Sequence, residues 1–140
     1  MRKLLTIIFL LLAISTLAQV PQGLNYQAVI RDSGGDVIQD QSVSVKISIL
    51  QGSATGNPVY TETHSTQTNS FGLINLIIGQ GESSDNFTTI DWSNLPYYLK
   101  IDIDLNDGSG YTEFGTSQLL SVPFAMYAGN TENSDDADAD

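Results

Sequence analysis

The sequence predicts an all-β domain, folded as an antiparallel two-sheet β-sandwich of six to seven strands. Between Leu24 and Leu120, short β-branched and aromatic runs alternate with clusters of Gly, Asn, Asp, Pro and Ser, the pattern of strands joined by turns. No stretch in this region has the sustained apolar spacing of an amphipathic helix. Strands at this spacing in a chain of this size favour an open sandwich over a closed barrel.

Three strands are predicted in the first half of the domain. Residues 24–31 alternate apolar and polar side chains, and the Gly- and Asp-rich residues 32–36 supply a tight turn. Residues 43–49 give the clearest core strand, because Val and Ile alternate with Ser and Lys. After a loop at 51–58, the Thr-rich run 59–68 has the composition of an exposed strand.

The second half is predicted to contain three further strands. Residues 71–78 form one, and the looser connection that follows includes a short strand or a helical turn around 87–92. Residues 97–105 alternate again, and the Asn, Asp and Gly residues of 106–110 suit a hairpin turn. Residues 111–120 then return as the partner strand.

Residues 1–18 predict a cleavable signal peptide. A positively charged start precedes an apolar run at 4–14, and the small residues Thr16 and Ala18 lie at the positions that a cut before Gln19 requires. The apolar run is shorter than the roughly 20 residues of a membrane-spanning helix. We therefore expect a secreted or cell-surface protein, with the periplasm as the other destination open to it.

The predicted domain spans residues 19–128, and residues 129–140 are predicted to be an acidic disordered linker or a truncated tail. The formal charge of -11 becomes -13 when Arg2 and Lys3 leave with the signal peptide. The three basic residues that remain cannot supply the footprint of a nucleic-acid-binding surface. The chain has no cysteine, so its apolar core must stabilise the fold without disulfides.

Four oxygen-bearing side chains have part of the spacing of a calcium-binding loop: Asp102, Asp104, Asn106 and Glu113. The glycine that such a loop needs at its sixth position is replaced by Asp107. A simpler interpretation places Asp102 and Asp104 on the solvent face of a strand by alternation. No metal site is predicted, and calcium stays open as the alternative.

Aromatic residues suggest a second candidate site. Trp92, Tyr97 and Tyr98 could stack on a sugar, although a small sandwich also needs such rings in its core or at its rim. His64 is the single histidine, so a site built on paired imidazoles is excluded. We predict no catalytic residues and no cofactor.

Several motifs resemble the N-terminal β-sandwich module of secreted and surface proteins of the Bacteroidota. They are residues 21–32 (PQGLNYQAVIRD), 42–45 (SVSV), 49–52 (ILQG), 69–73 (NSFGL) and 115–128 (GTSQLLSVPFAMYA). That module often precedes collagen-like or tail-fibre-like regions, and it brings no catalytic residues. Residues 32–38 and 69–72 are also similar, more weakly, to transthyretin-like and carboxypeptidase-regulatory-like sandwiches.

The resemblance implies an immunoglobulin-like or transthyretin-like sandwich that is a non-enzymatic, exported structural or adaptor module. Its expected partner is a downstream stalk or cargo region, with a surface protein or a glycan as other candidates, and an oligomer is compatible with the sequence. No nucleic acid is expected, and no membrane span once the signal is removed. The alternatives are a carbohydrate-binding module using Trp92, Tyr97 and Tyr98, and a calcium-stabilised adhesin domain.

Overall fold

The computed structural model of the chain describes residues 22–120. The predicted signal peptide at 1–18, the end of the predicted domain at 121–128 and the acidic segment at 129–140 lie outside the described residues. Residues 22–120 contain six strands: β1 (Leu24–Val29), β2 (Ser42–Gln51), β3 (Pro58–Gln67), β4 (Leu73–Ile78), β5 (Tyr97–Asp104) and β6 (Thr112–Leu119). The connection between β4 and β5 contains one short 3-10 helix, Phe87–Thr89.

The strands form two antiparallel sheets. One has four strands in the order β3-β2-β5-β6, and the other pairs β1 with β4. The predicted fold class, an all-β antiparallel two-sheet sandwich, is confirmed. The hairpin of β5 and β6 is also present where alternation and the turn residues predicted it.

The core lies between the inner faces of the two sheets. From β2, the inward side chains Val43, Val45, Ile47 and Ile49 are completely buried. β2 is flanked by β3 and β5, and it therefore contributes the largest share of this layer. Burying one such side chain contributes about 1.5–3 kcal/mol to folding. The period-two pattern of 43–49 correctly identified a core strand, which is one of the two inner strands of its sheet.

The strand bounds differ from the predicted ones by one or two residues, and β1 and β4 are each two residues shorter at one end. β4 begins at Leu73 rather than at residue 71, because the Asn69 side chain accepts hydrogen bonds from the backbone N–H groups of Phe71 and Leu73 and closes a turn there. Gly72 has a φ of 74° in this turn, a conformation that favours glycine. β1 ends at Val29.

Candidate functional site

Three polar side chains of β3 face the interior, although the sequence predicted an exposed strand there. Tyr60, Glu62 and His64 are spaced two residues apart, so they share one face. Glu62 is only 1% exposed. Its Oε2 accepts a hydrogen bond from the Tyr60 hydroxyl at 2.7 Å, and its Oε1 lies 2.9 Å from Nε2 of His64. These three residues are called the Glu62 cluster below.

The Glu62 carboxylate also binds the backbone at the end of β4. The Gly79 N–H lies 3.1 Å from Oε1 and 3.0 Å from Oε2, and the Gly81 N–H donates to Oε2 at 2.9 Å. A single side chain of the four-stranded sheet thereby anchors the loop that leaves the two-stranded sheet. Buried carboxylates are stable when such donors replace their lost hydration.

The electrostatics of the Glu62 cluster favour a proton on the tyrosine. Burial, and then the hydrogen bond to Glu62, raise the pKa of Tyr60 far above its ordinary value. The hydroxyl therefore remains a donor at neutral pH. Each carboxylate oxygen of Glu62 has at least two partners at hydrogen-bond distance, which leaves little capacity for a substrate. The arrangement is suited to holding the loop in place.

Sequence reasoning did not find the Glu62 cluster, because a glutamate in a Thr-rich strand is usually exposed. One signal was available: Tyr60, Glu62 and His64 alternate with the threonines, and the Gly79-Gln80-Gly81 segment offers backbone donors without Cβ atoms. A Cβ added at Gly81 would lie 2.6 Å from Nε2 of His64. The glycine permits the close approach.

The aromatic candidates for a sugar platform are mostly core residues. Trp92 and Tyr97 are each 2% exposed, and Tyr98 is half-buried. Trp92 packs edge-to-face between Phe87, at 5.9 Å between ring centroids, and Tyr97, at 5.3 Å. The Tyr97 hydroxyl donates to the backbone carbonyl of Asp91. Trp92 and Tyr97 therefore present no open ring face for a sugar.

The four oxygen-bearing residues of the calcium hypothesis do not converge on one point. Asp102 and Glu113 are cross-strand partners in β5 and β6, whereas Asp104 Oδ1 accepts a hydrogen bond from the Asn106 N–H at 2.8 Å. Among residues 22–120, no group of three or more His, Cys, Asp or Glu side chains is placed to hold a metal ion. Hydrogen bonds from Ser109 lower the pKa of Asp107, the next acid in the turn.

Two lysines surround Asp102 instead. The ammonium groups of Lys46 and Lys100 each lie 3.6 Å from an oxygen of Asp102, and Lys100 lies 3.9 Å from Glu113. Asp102 lies on the outer face of its sheet, as alternation predicted, yet it is only 6% exposed. The expectation of a solvated carboxylate was wrong, because the side chains of long neighbouring lysines can cover such a position.

The same residues line a shallow groove on the outer face of the four-stranded sheet. Its floor carries Lys46, Lys100 and Asp102, and the loop between β2 and β3 forms one wall. Glu113 also lines the groove, so the formal charges of its two lysines and two carboxylates cancel. No helix within residues 22–120 has the length and apolar character needed to cross a membrane.

The fold and these clusters define a class: a small all-β sandwich whose buried polar groups are occupied in holding its sheets and loops together. A family model described as a domain of unknown function (DUF8740) matches residues 25–133. This match covers well over half of the chain, so the protein belongs to that family. Among curated proteins, none matches the chain.

Proposed function

We propose that this protein is a non-enzymatic, exported structural or adaptor module of the kind found at the N-terminus of Bacteroidota surface proteins. Its role is to hold a following segment at a defined position and to offer sheet surfaces to a partner. The N-terminal sequence supports export, and the motifs at 21–32 and 115–128 support the likeness to that module.

One observation carries the proposal: the polar side chains that could take part in catalysis already form hydrogen bonds or ion pairs within the fold. Glu62 holds the loop at Gly79 and Gly81, and Asp102 is paired with two lysines. In the described part of the chain, no buried side-chain nitrogen or oxygen lacks a hydrogen-bond partner. Catalytic sites often hold polar groups poised for a substrate, whereas these groups serve the fold.

The surfaces that stay open are those of the sheets. β1 pairs only with β4, and β6 pairs only with β5 among the described strands. Free strand edges and outer sheet faces are the surfaces through which β-sandwiches commonly contact other chains. An adaptor that binds in this way needs no enclosed pocket, which agrees with the shallow relief of the outer face.

A reporter experiment tests the proposal. A monomeric fluorescent or enzymatic reporter is joined after Asp140 and expressed in a bacterium of the Bacteroidota. One version has the whole chain, and the control has residues 1–18 followed directly by the reporter. We expect both reporters to leave the cytoplasm, but only the version with the sandwich to stay associated with the cell surface.

Equal release of the two reporters would contradict the adaptor role. A cytoplasmic location for both would contradict the export assignment instead. A glycan array on the same purified chain tests the carbohydrate alternative, and specific binding of one sugar class would replace our proposal by that one.

A further inference from the structure

The two sheets of the sandwich differ in width, and one side of the core is left open. The four-stranded sheet extends to β6, whereas the two-stranded sheet ends at β1. β4 lies on the β3 side, because the Gly79 N–H directly after it binds Glu62. Within residues 22–120, no strand lies beyond β1 to cover the inner face of β6. A third strand of the smaller sheet would lie at that position.

Side chains that face the interior are exposed along this side. Leu99 of β5 is buried, and its cross-strand partner in β6 is Ser117. Cross-strand partners face the same side of a sheet, so Ser117 faces the interior, yet it is exposed. Phe114, at the register shift of β6, is 41% exposed. The inward residues Leu24 and Tyr26 of β1 are half-buried, whereas the inward residues of β4 from Ile74 onward are buried.

The opening between β1 and β6 has two parts, which together are called the β1–β6 groove below. One part, a cavity of about 200 Å³, lies between Tyr26 and residues 114–117. The other, of about 620 Å³, lies between Ile30 and residues 112–114. Following β1 from Tyr26 to Ile30 therefore leads backwards along β6. The two strands run in opposite directions.

The backbone of β1 also has one unpaired side. Within residues 22–120, β1 forms backbone hydrogen bonds with β4 alone. Successive residues of a strand direct their N–H and C=O groups to opposite sides, so about half of these groups in β1 point away from β4. A strand placed over the inner face of β6 would pair with them.

We propose that the β1–β6 groove binds the segment that directly follows β6, residues 121–128, as the third strand of the smaller sheet. A chain that turns back after Leu120 runs opposite to β6 and hence in the same direction as β1. This packing depends neither on export nor on a partner, so it goes beyond the adaptor role. The free edge of β6 stays available to other chains.

The length of the segment fits this path. Packed sheets lie about 10 Å apart, and one extended residue covers about 3.3 Å, so about three residues lead from one sheet to the other. If residues 120–122 make this crossing, residues 123–128 match the six residues of β1. Attachment to β6 also gives this segment a high effective concentration at the groove, which a separate chain lacks.

The sequence of the segment, SVPFAMYA, suits an edge strand over an open core. Phe124 and Met126 are spaced two residues apart, so one face of a strand directs both into the groove. Proline occurs on edge strands, where the position of its missing N–H faces solvent. Pro123 would therefore protect the new edge from further pairing. The family match continues beyond β6 to residue 133 and includes the whole segment.

Hydrogen exchange of the full chain, purified as its host processes it, tests the proposal. Mass spectrometry of peptides follows the amides of residues 121–128. The first variant is Ser117→Glu, which places a charge beneath the segment. Its matched control is Gln118→Glu, the same change one residue later on the outer face. Circular dichroism verifies that each variant is folded.

A second pair of variants tests the segment itself and does not require Ser117→Glu to fold. Phe124→Ala should lower the melting temperature by about 5–10 °C, because it removes apolar contacts in the groove. Its control is Phe71→Ala, at a phenylalanine that is 75% exposed, which should change the melting temperature by less than about 2 °C. Equal effects of the two substitutions overturn the proposal.

In the wild-type monomer, we expect residues 121–128 to exchange about tenfold or more slowly than an unfolded peptide of the same sequence. Ser117→Glu should remove this protection, and Gln118→Glu should keep it. Exchange at the unfolded rate in the wild-type chain overturns the proposal. Equal protection in both variants overturns it as well. Protection that sedimentation velocity finds only in dimers also overturns it, since a second copy then supplies the strand.

Discussion

The backbone N–H of Gly81 donates a hydrogen bond to Oε2 of Glu62, with 2.9 Å between nitrogen and oxygen. The carboxylate belongs to β3, and the glycine follows the last strand of the other sheet. This contact and its neighbour at Gly79 join the two layers of the sandwich at one corner. Together with the paired backbone hydrogen bonds between Thr63 and Glu82, they fix how the chain leaves β4.

Replacing the buried carboxylate should be costly. Glu62→Gln puts an amide NH₂ where one oxygen accepts hydrogen bonds, which leaves backbone or tyrosine donors unsatisfied. We expect a loss of about 3 kcal/mol in the free energy of unfolding, measured by urea denaturation. The matched control is Glu82→Gln, an exposed glutamate, which should change stability by less than about 0.5 kcal/mol. Equal effects of the two substitutions would contradict the anchoring role of Glu62.

A methyl group at Gly81 should disrupt the same corner. An added Cβ would lie 2.6 Å from Nε2 of His64 and 2.8 Å from the Thr63 carbonyl oxygen, so Gly81→Ala should destabilise the domain by about 1–3 kcal/mol. Gly115→Ala is the control, because no atom lies within 4 Å of its added Cβ. Thermal unfolding of both variants should show a lower melting temperature for Gly81→Ala alone.

The stability of the fold should decrease at alkaline pH, because Tyr60 is protonated in the folded protein. Its pKa is raised in the folded protein from an ordinary value of 10.0. A raised pKa gives a stabilising contribution that is fully present below about pH 10 and is lost as the pH rises further towards the folded-state pKa. We expect the urea midpoint to fall above about pH 10. Burial also raises the pKa of Tyr26 and Tyr97, so Tyr60→Phe should reduce that decline without abolishing it, and an unchanged slope would exclude Tyr60 as a contributor.

Because Trp92 is buried in the aromatic core, we expect its replacement to lower the stability of the domain and to have no separate effect on sugar binding. Trp92→Ala should destabilise the domain by about 3–5 kcal/mol, because the substitution leaves a cavity beside Phe87 and Tyr97. Tyr98→Ala, at a half-buried position on the opposite face, should cost less. A Trp92→Ala chain that melts like the wild type but loses binding on a glycan array would instead support a sugar site.

Calcium should have no effect on the fold. The ammonium groups of Lys46 and Lys100 already lie 3.6 Å from the Asp102 carboxylate, so a cation would have to compete with two tethered charges. We expect no heat in a calorimetric titration at about millimolar calcium, and no shift in melting temperature. A rise in melting temperature that Asp102→Asn removes would revive the calcium hypothesis.

The strands of this protein could be predicted from its sequence, but the contacts of its polar side chains could not. Alternating Val and Ile identified β2, and alternation with turn residues identified β5 and β6. Glu62 was missed because its burial depends on the N–H groups of Gly79 and Gly81, which lie in the loop after β4, a strand of the other sheet. The sequence of β3 alone does not show that these N–H groups lie beside Glu62.

Asp102 illustrates the same limit on the outer face of the four-stranded sheet. Alternation gave the direction of its side chain correctly, since period two depends only on the backbone of one strand. Its low exposure depends on cross-strand neighbours that only the register brings together. The calcium hypothesis rested on spacing along the chain and did not include the two lysines.

Trp92 is the single tryptophan of the chain, and its indole lies among other rings away from water. Selective excitation therefore reports on one location, at the packed end of the connection between β4 and β5. Emission from a shielded indole should shift to longer wavelength when solvent reaches it. The native sequence thus contains an intrinsic fluorescent probe, with which the unfolding of every variant above that retains Trp92 can be followed without a label.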